Sequence, residues 1–330
     1  MNRPLIAITM GDPAGIGPEI IAKAFANTAF MRDHAAFVVG DSRHLERAAQ
    51  ITGAAVRVRP ITDPAQAQLT PGVIDVLDVT TLPSDLHFGR LNAEAGRAAF
   101  EYVRRATELA LSGGAQAVAT APLNKEAMHQ AGLTYPGHTE ILADLTGTKD
   151  YAMMLVGENL RVIHVSTHVS LLEAVARARR ERELTVIRLA DRTLRQMGLT
   201  EPRIAVAGLN PHAGENGLFG QEELNEIIPA VHAAQREGLS VTGPWPGDTV
   251  FLKAQRGEFD IVVVQYHDQG HIPIKLLGFD TGVNVTVGLP FFRTSVDHGT
   301  AFDIAGTGVA EATSMQAAIR LATDLSTRAP

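Results

Sequence analysis

Ile261-Val-Val-Val-Gln-Tyr-His267 opens with four consecutive β-branched residues and closes on polar ones and a histidine. Short apolar runs of this kind predict strands buried on both faces, as in parallel sheets covered by helices. Two further runs share the form: Arg161-Val-Ile-His-Val-Ser-Thr-His168 and Ile204-Ala-Val-Ala-Gly-Leu-Asn-Pro-His212. In open α/β sheets, ligands bind beyond the carboxyl ends of the strands. Three imidazoles delivered to one sheet edge would form a metal site. Each is equally well explained, taken alone, as a polar residue marking a strand end.

Outward from these runs, strand and helix patterns alternate. Leu5 to Met10 reads as a first strand, and Gly11-Asp-Pro-Ala-Gly-Ile-Gly17 turns into a helix at Pro18, a residue suited to a first helical turn. Ala36 to Gly40 and Ala117 to Ala121 read as further strands. From Asn92 to Leu111, Ala95, Ala99, Tyr102, Val103, Ala106, Leu109 and Ala110 recur at three- and four-residue spacings before Gly113-Gly114, which predicts an amphipathic helix. Leu171 to Met197 reads as helical, in one or two pieces, and Gln221 to Glu237 as another helix. The basic stretch Arg177 to Arg182, mixed with glutamates, is expected to be a solvated face. This alternation predicts an α/β protein with mostly parallel sheet.

The chain has 330 residues, a net charge of −7 and no cysteine. It is long enough for two domains or one large α/β unit. The negative charge makes nucleic acid a poor partner, and a polyanionic ligand would need local positive charge. Without cysteine there is neither a disulfide framework nor a thiolate metal site, so imidazole and carboxylate remain as metal ligands. No stretch approaches the ~18 to 20 apolar residues of a membrane span, and the apolar part of the N-terminus is short for a signal peptide; a cytoplasmic location is expected.

Several segments carry candidate chemistry. The Gly11 to Gly17 turn suits an anion at a helix N-terminus or a structural tight turn, and it lacks the G-x-G-x-x-G dinucleotide pattern. In Pro136-Gly-His-Thr-Glu140, His138 and Thr139 stand at the start of a helix. There Thr139 could cap the helix, or both could join backbone amides around a phosphate or carboxylate. Polar residues are dense after Tyr266: His267-Asp-Gln-Gly-His271, Lys275, Asn284 and Pro290-Phe-Phe-Arg-Thr-Ser-Val-Asp-His-Gly-Thr300. Arg293 offers a bidentate clamp for an anion and Lys275 a point charge for the same group.

Five strings, Gly11 to Glu19, Gly137 to Glu140, Asn210-Pro-His-Ala-Gly-Glu215, Tyr266 to Gly270 and Gly288 to Thr300, together resemble the 4-hydroxythreonine-4-phosphate dehydrogenase family of pyridoxal phosphate biosynthesis. Asp297 to Gly306 is more distantly similar to the cofactor loop of isocitrate and isopropylmalate dehydrogenases. The resemblance implies two α/β/α domains with a cleft between them, with 1–125 plus 285–330 on the cofactor side and 126–284 on the metal, substrate and dimerisation side. It implies a homodimer with shared active sites. One divalent metal (zinc, magnesium, manganese or cobalt) would be held by His168, His212 and His267, with Asp248 nearby. His138, Thr139, Lys275, Asn284 and Arg293 would contact a phosphorylated substrate. Gly299, Thr300 and Asp303 would contact NAD, with NADP as the other possibility.

The implied reaction oxidises a secondary hydroxyl of a four-carbon, 4-phosphorylated hydroxy acid and then decarboxylates the β-keto acid, with Lys275 or Asp248 as candidate proton acceptor. The strings Thr120-Ala-Pro-Leu-Asn-Lys125, His164 to Ser170 and His271-Ile-Pro-Ile-Lys275 are more similar to a branch acting on D-threonate or D-erythronate 4-phosphate. Alternatives are a dihydrodiol dehydrogenase of an aromatic acid such as terephthalate, or a metal-dependent lyase or hydrolase without NAD.

Overall fold

A computed structural model describes residues 3–278 and 282–328. The chain forms two compact units, 3–149 with Leu289–Thr327, and Asp150–Gly288. The first begins with β1 (Leu5–Thr9), α1 (Gly17–Ala26), α2 (Thr28–Asp33), β2 (Ala35–Gly40), α3 (Ser42–Thr52), β3 (Arg57–Ile61) and β4 (Val73–Asp78). It continues through α4 (Ala93–Leu111), β5 (Ala117–Thr120), α5 (Lys125–Gln130) and α6 (His138–Thr146). The second unit holds β6 (Ala152–Val156), β7 (Arg161–His164), α7 (Leu171–Arg177), α8 (Arg180–Gln196), β8 (Ile204–Ala207), α9 (Ile228–Arg236), β9 (Val241–Trp245), α10 (Val250–Gln255), β10 (Ile261–Val264), α11 (His267–Leu277) and β11 (Val283–Val287). The chain then returns to the first unit with β12 (Phe292–Val296) and α12 (Thr313–Arg328).

In the first unit the strands run parallel in the order β3-β4-β2-β1-β5-β12. Ile6, Ile8, Phe37, Val38 and Val118 are fully buried because helices cover both faces of these strands. The predicted helix at 92–111 is α4. Asn92 caps it by accepting the amide hydrogens of Glu94 and Ala95 at 2.7 and 3.1 Å, and its apolar stripe buries Tyr102, Val103 and Ala106. Truncating a fully buried core side chain such as Ile20 costs about 2–5 kcal/mol.

The segment 126–149, expected in the second domain, clusters instead with the first. Met128 of α5 and Ile141 and Leu142 of α6 share a buried apolar cluster with Val103 of α4. Residues 285–288, expected in the first, belong to the second, because β11 pairs antiparallel with β6.

The second unit's sheet has the order β11-β6-β7-β10-β8-β9. β7 and β8 flank β10, both parallel to it, and His164 stands opposite Val264. All three predicted histidine-bearing runs therefore deliver their carboxyl ends to one edge. The helical region after Leu171 is two pieces, α7 and α8. Arg182 departs from the expected solvated face: its guanidinium donates to the carbonyls of Val165 and Tyr151, both at 3.0 Å. The helix expected over 221–237 starts as a wide turn at Glu223–Ile227, with hydrogen bonds one residue longer than α-helical, before α9. Among the described residues no helix is long and apolar enough to cross a membrane.

Candidate active site

The first unit brings together His138 at the start of α6, Thr120 at the end of β5 and Arg293 near the start of β12. Helix α6 begins at His138, with Gly137 at the N-cap and no side-chain cap, so Thr139 lies within the first turn and is not the cap. His138 Nε2 is fully enclosed and has no hydrogen-bond partner among the described residues. Burial holds its imidazole well below the usual histidine range, and the charges of Arg293 and Lys125 lower it further. The ring is thus neutral at pH 7. Arg293, on β12, is 2 % exposed, and burial pulls its guanidinium down to about 9, with Glu140 opposing the shift. It is still a cation at neutral pH. Its Nη2 donates to Thr120 Oγ1 at 2.6 Å. A buried cation beside an enclosed neutral imidazole is suited to an anionic group, which would compensate the desolvated charge.

A second arrangement in this unit joins the Gly11 to Gly17 turn to the loop after β12. Ile16 N–H donates to the carbonyl of Thr300 at 3.0 Å, and a Cβ on Gly15 would lie 2.9 Å from Thr300 Cβ. Glu19, fully buried in α1, accepts the amide hydrogens of Gly306 and Gly308 at 2.6 and 2.7 Å. The glycine turn therefore fixes the loop carrying Gly299, Thr300 and the exposed Asp303. Glu19 was missed because a glutamate in a helix's first turn ordinarily reads as favouring the helix dipole. Asp41, directly after β2, stands where dinucleotide folds place a ribose anchor, but its oxygens already accept the amide hydrogens of His44 and Leu82 at 2.9 Å each. This agrees with the missing dinucleotide pattern.

In the second unit the histidines stand beyond the strands proper: His168 past β7, His212 past β8, and His267 at the first position of α11. Polar side chains tie the three strand ends together. Ser166 Oγ donates to the Gln265 carbonyl at 2.8 Å, Gln265 Nε2 to the Ala207 carbonyl at 2.9 Å, and Gln269 Nε2 to the Gly208 carbonyl at 2.8 Å.

The rings of His168 and His267 are 5.7 Å apart between centroids. Two imidazoles bound to one ion with metal–nitrogen bonds of about 2.0–2.1 Å place their centroids roughly 5–6 Å apart, so the pair fits a shared metal. His267 Nδ1 lies 2.7 Å from Asp268 Oδ1, which orients the ring and makes Nε2 the nitrogen that could ligate a metal.

His271 stacks on His267, and its Nδ1–H donates to the His267 carbonyl at 2.9 Å. Burial and the neighbouring His267 hold His271 down at about 4. His164, buried behind it, is held at about 3, chiefly by burial. Lys275 lies one turn further along α11, and Asn284 is on β11.

His212 occupies a different setting. His212, Ala213, Gly214, Glu215 and Asn216 all have left-handed backbone angles, with φ of 53°, 52°, 79°, 43° and 55°. Each non-glycine residue in that conformation costs about 1–2 kcal/mol. The chain entering this turn is held by the buried Glu223, which accepts the amide hydrogens of Leu209 at 2.8 Å and Asn210 at 2.7 Å, and the Asn210 side chain at 2.9 Å. A Cβ on Gly214 would meet Glu223 Oε2 at 2.6 Å, so only glycine passes there. His212 and Asp248 line a cavity of about 580 Å³ with Tyr266, Asp268 and Gln269. Among the described residues, no three histidine or carboxylate side chains converge in a geometry that could hold a metal. The structure thus groups His168 with His267, and His212 with Asp248.

The chain matches, over residues 32–322, the model of the family described as pyridoxal phosphate biosynthetic protein PdxA. It is 54 % identical to the D-threonate 4-phosphate dehydrogenase of Salmonella typhimurium, over 98 % of this chain and 100 % of that one. The crystal structure of 4-hydroxythreonine-4-phosphate dehydrogenase from Klebsiella pneumoniae superposes with a TM-score of 0.92 at 53 % identity, covering 98 % of each chain. A terephthalate 1,2-cis-dihydrodiol dehydrogenase from Burkholderia xenovorans is further away, with a TM-score of 0.69 at 32 % identity over 98 % of each chain. With its two-unit α/β architecture and these matches along nearly its whole length, the chain belongs to the PdxA family of dehydrogenases.

Proposed function

We propose that this protein is an NAD-dependent, metal-dependent dehydrogenase that oxidises and decarboxylates a four-carbon 4-phosphorylated hydroxy acid, D-threonate 4-phosphate before 4-hydroxythreonine 4-phosphate. The observation that carries the reading is the buried Arg293 guanidinium beside the enclosed, neutral His138, which suits a small, highly charged substrate better than a dihydrodiol. The name and 54 % identity of the Salmonella relative favour the threonate substrate.

In this reading His138, Thr139 and Arg293 bind and orient the charged ends of the substrate, with Lys275 and Asn284 adding polar contacts. Among the described residues the three histidines do not converge within one chain, so His168 and His267 would hold the metal with His212 completing the set across the dimer, and an imidazole donor set favours zinc or cobalt over magnesium. The loop of Gly299, Thr300 and Asp303 would hold NAD, which would supply a hydride acceptor, and a metal held by the histidines would supply Lewis-acid polarisation of the reacting hydroxyl. Lys275 and Asp248 are the candidates to take the hydroxyl proton. The oxidised product is a β-keto acid; its carboxylate would leave as carbon dioxide, the electron pair of the broken C–C bond passing into the ketone as an enolate that then takes up a proton.

The active unit in this proposal is a homodimer with shared sites. Leu171, Leu172 and Leu276, 67, 84 and 81 % exposed, supply apolar surface for a subunit contact. Sedimentation would show twice the chain mass. Incubation with NAD, a divalent metal and D-threonate 4-phosphate should yield NADH and carbon dioxide in equal amounts. If neither this acid nor 4-hydroxythreonine 4-phosphate generates NADH, the dehydrogenase assignment of substrate is wrong.

A further inference from the structure

The geometry points to Thr120 as the residue that positions the Arg293 guanidinium for anion binding, through a directed chain of hydrogen bonds that ends on the main chain. This rests on the reading of Arg293 as a substrate contact. Parallel pairing of β5 with β12 sets Thr120 opposite Ser295, and Arg293 lies two residues earlier on the same face of β12. Arg293 Nη2 donates to Thr120 Oγ1 at 2.6 Å. The Thr120 hydroxyl then donates to Ser295 Oγ at 2.9 Å, and Ser295 donates to the Thr120 carbonyl at 3.3 Å.

The first donor in this chain is set by chemistry. A guanidinium can only donate, so Thr120 Oγ1 must accept from it. The single Thr120 hydroxyl hydrogen is then directed to Ser295 Oγ at 2.9 Å, nearer than the Thr294 carbonyl at 3.5 Å, and the Ser295 hydrogen closes on the Thr120 carbonyl. Thr120 is 0 % exposed and Ser295 5 %, so water does not compete for either hydroxyl. One guanidinium nitrogen is thereby fixed against strand β5, which sets the plane of the guanidinium. Thr120 does not touch the ligand in this scheme; it acts through Arg293.

The test compares Thr120→Val, which keeps the shape and removes the hydroxyl, with Thr120→Ser, which keeps the hydroxyl. The dehydrogenase assay reads KM for D-threonate 4-phosphate and for NAD. Calorimetry reads binding of the same acid and of inorganic phosphate to the intact protein. Loss of a buried hydrogen bond to a charged group predicts a rise of roughly ten- to hundredfold in KM and Kd for the acid in Thr120→Val. KM for NAD should stay within about twofold, and Thr120→Ser should bind nearly as the parent does.

Parent-like acid binding by Thr120→Val overturns the proposal. So does equal impairment of the Val and Ser variants, or a parallel rise in KM for NAD, because each would mark a packing defect. The functional reading fails separately if the parent protein forms no NADH. In that case calorimetry still decides Thr120, and absence of acid and phosphate binding to the parent would also overturn it.

Discussion

The imidazole rings of His267 and His271 lie 3.6 Å apart and 11° from parallel, one turn apart on α11. Asp268 on Nδ1 of His267 and His271 against its face both restrain the His267 ring, and Nε2 is the nitrogen not engaged by Asp268. Losing a carboxylate behind a metal-bound histidine typically weakens metal binding ten- to hundredfold, roughly. Asp268→Asn is therefore expected to weaken zinc binding by about tenfold in calorimetry, whereas His267→Ala abolishes it. Unchanged zinc affinity in His267→Ala would remove this residue from the metal site.

Glu223 holds Leu209 and Asn210, the residues that lead into the left-handed turn of 212–216. Replacing Glu223 by Gln puts an amide N–H₂ among the amide donors of Leu209 and Asn210. A cost of about 2–3 kcal/mol in unfolding free energy is expected from a charged hydrogen-bond acceptor lost in a buried site. Denaturant titration measures it, and limited proteolysis should find new cleavage within 208–217. A variant as stable and as resistant to protease as the parent would show that the turn holds without Glu223.

Glu183 sits fully buried on α8, where burial pushes its carboxyl up to about 8, against hydrogen bonding from Gln265. The folded state therefore binds a proton that the unfolded state releases between about pH 4.5 and 8, so this group lowers stability as pH rises through that window. Glu183→Gln has no such proton. It should match the parent near pH 4.5 and exceed it at pH 8, with a gain on the order of 4 kcal/mol at most. Thermal unfolding across that range checks it, and a constant difference at all pH values would contradict the assignment.

Glu19 holds Gly306 and Gly308, and with them the proposed cofactor loop. Glu19→Gln should raise KM for NAD roughly tenfold, from loss of charged hydrogen bonds to two amides, while KM for the phosphorylated acid changes little. Steady-state kinetics with each substrate varied in turn separates the two. A rise confined to the acid would place this loop elsewhere in the mechanism.

Periodicity made much of the architecture legible. The stripe from Ala95 to Ala110 became α4 with the expected stop, and the runs at 161, 204 and 261 became β7, β8 and β10, adjacent and parallel. Those signals are local, because alternation and three- to four-residue spacing record which faces must leave water. The 126–149 segment was misplaced because its apolar residues specify burial but not the partner, which turned out to be α4.

By itself the sequence determined the α/β class, the strands whose ends bear the candidate residues, and those candidates, His138, His168, His212, His267 and Arg293. Only the tertiary structure decided how these side chains are held. Glu19, Thr120 and Glu223 meet their partners across 287, 173 and 13 residues, respectively. No short-range pattern encodes such pairings. A buried hydrogen bond is fixed by where two strands or loops come together, and its strength comes from the exclusion of water that folding alone provides.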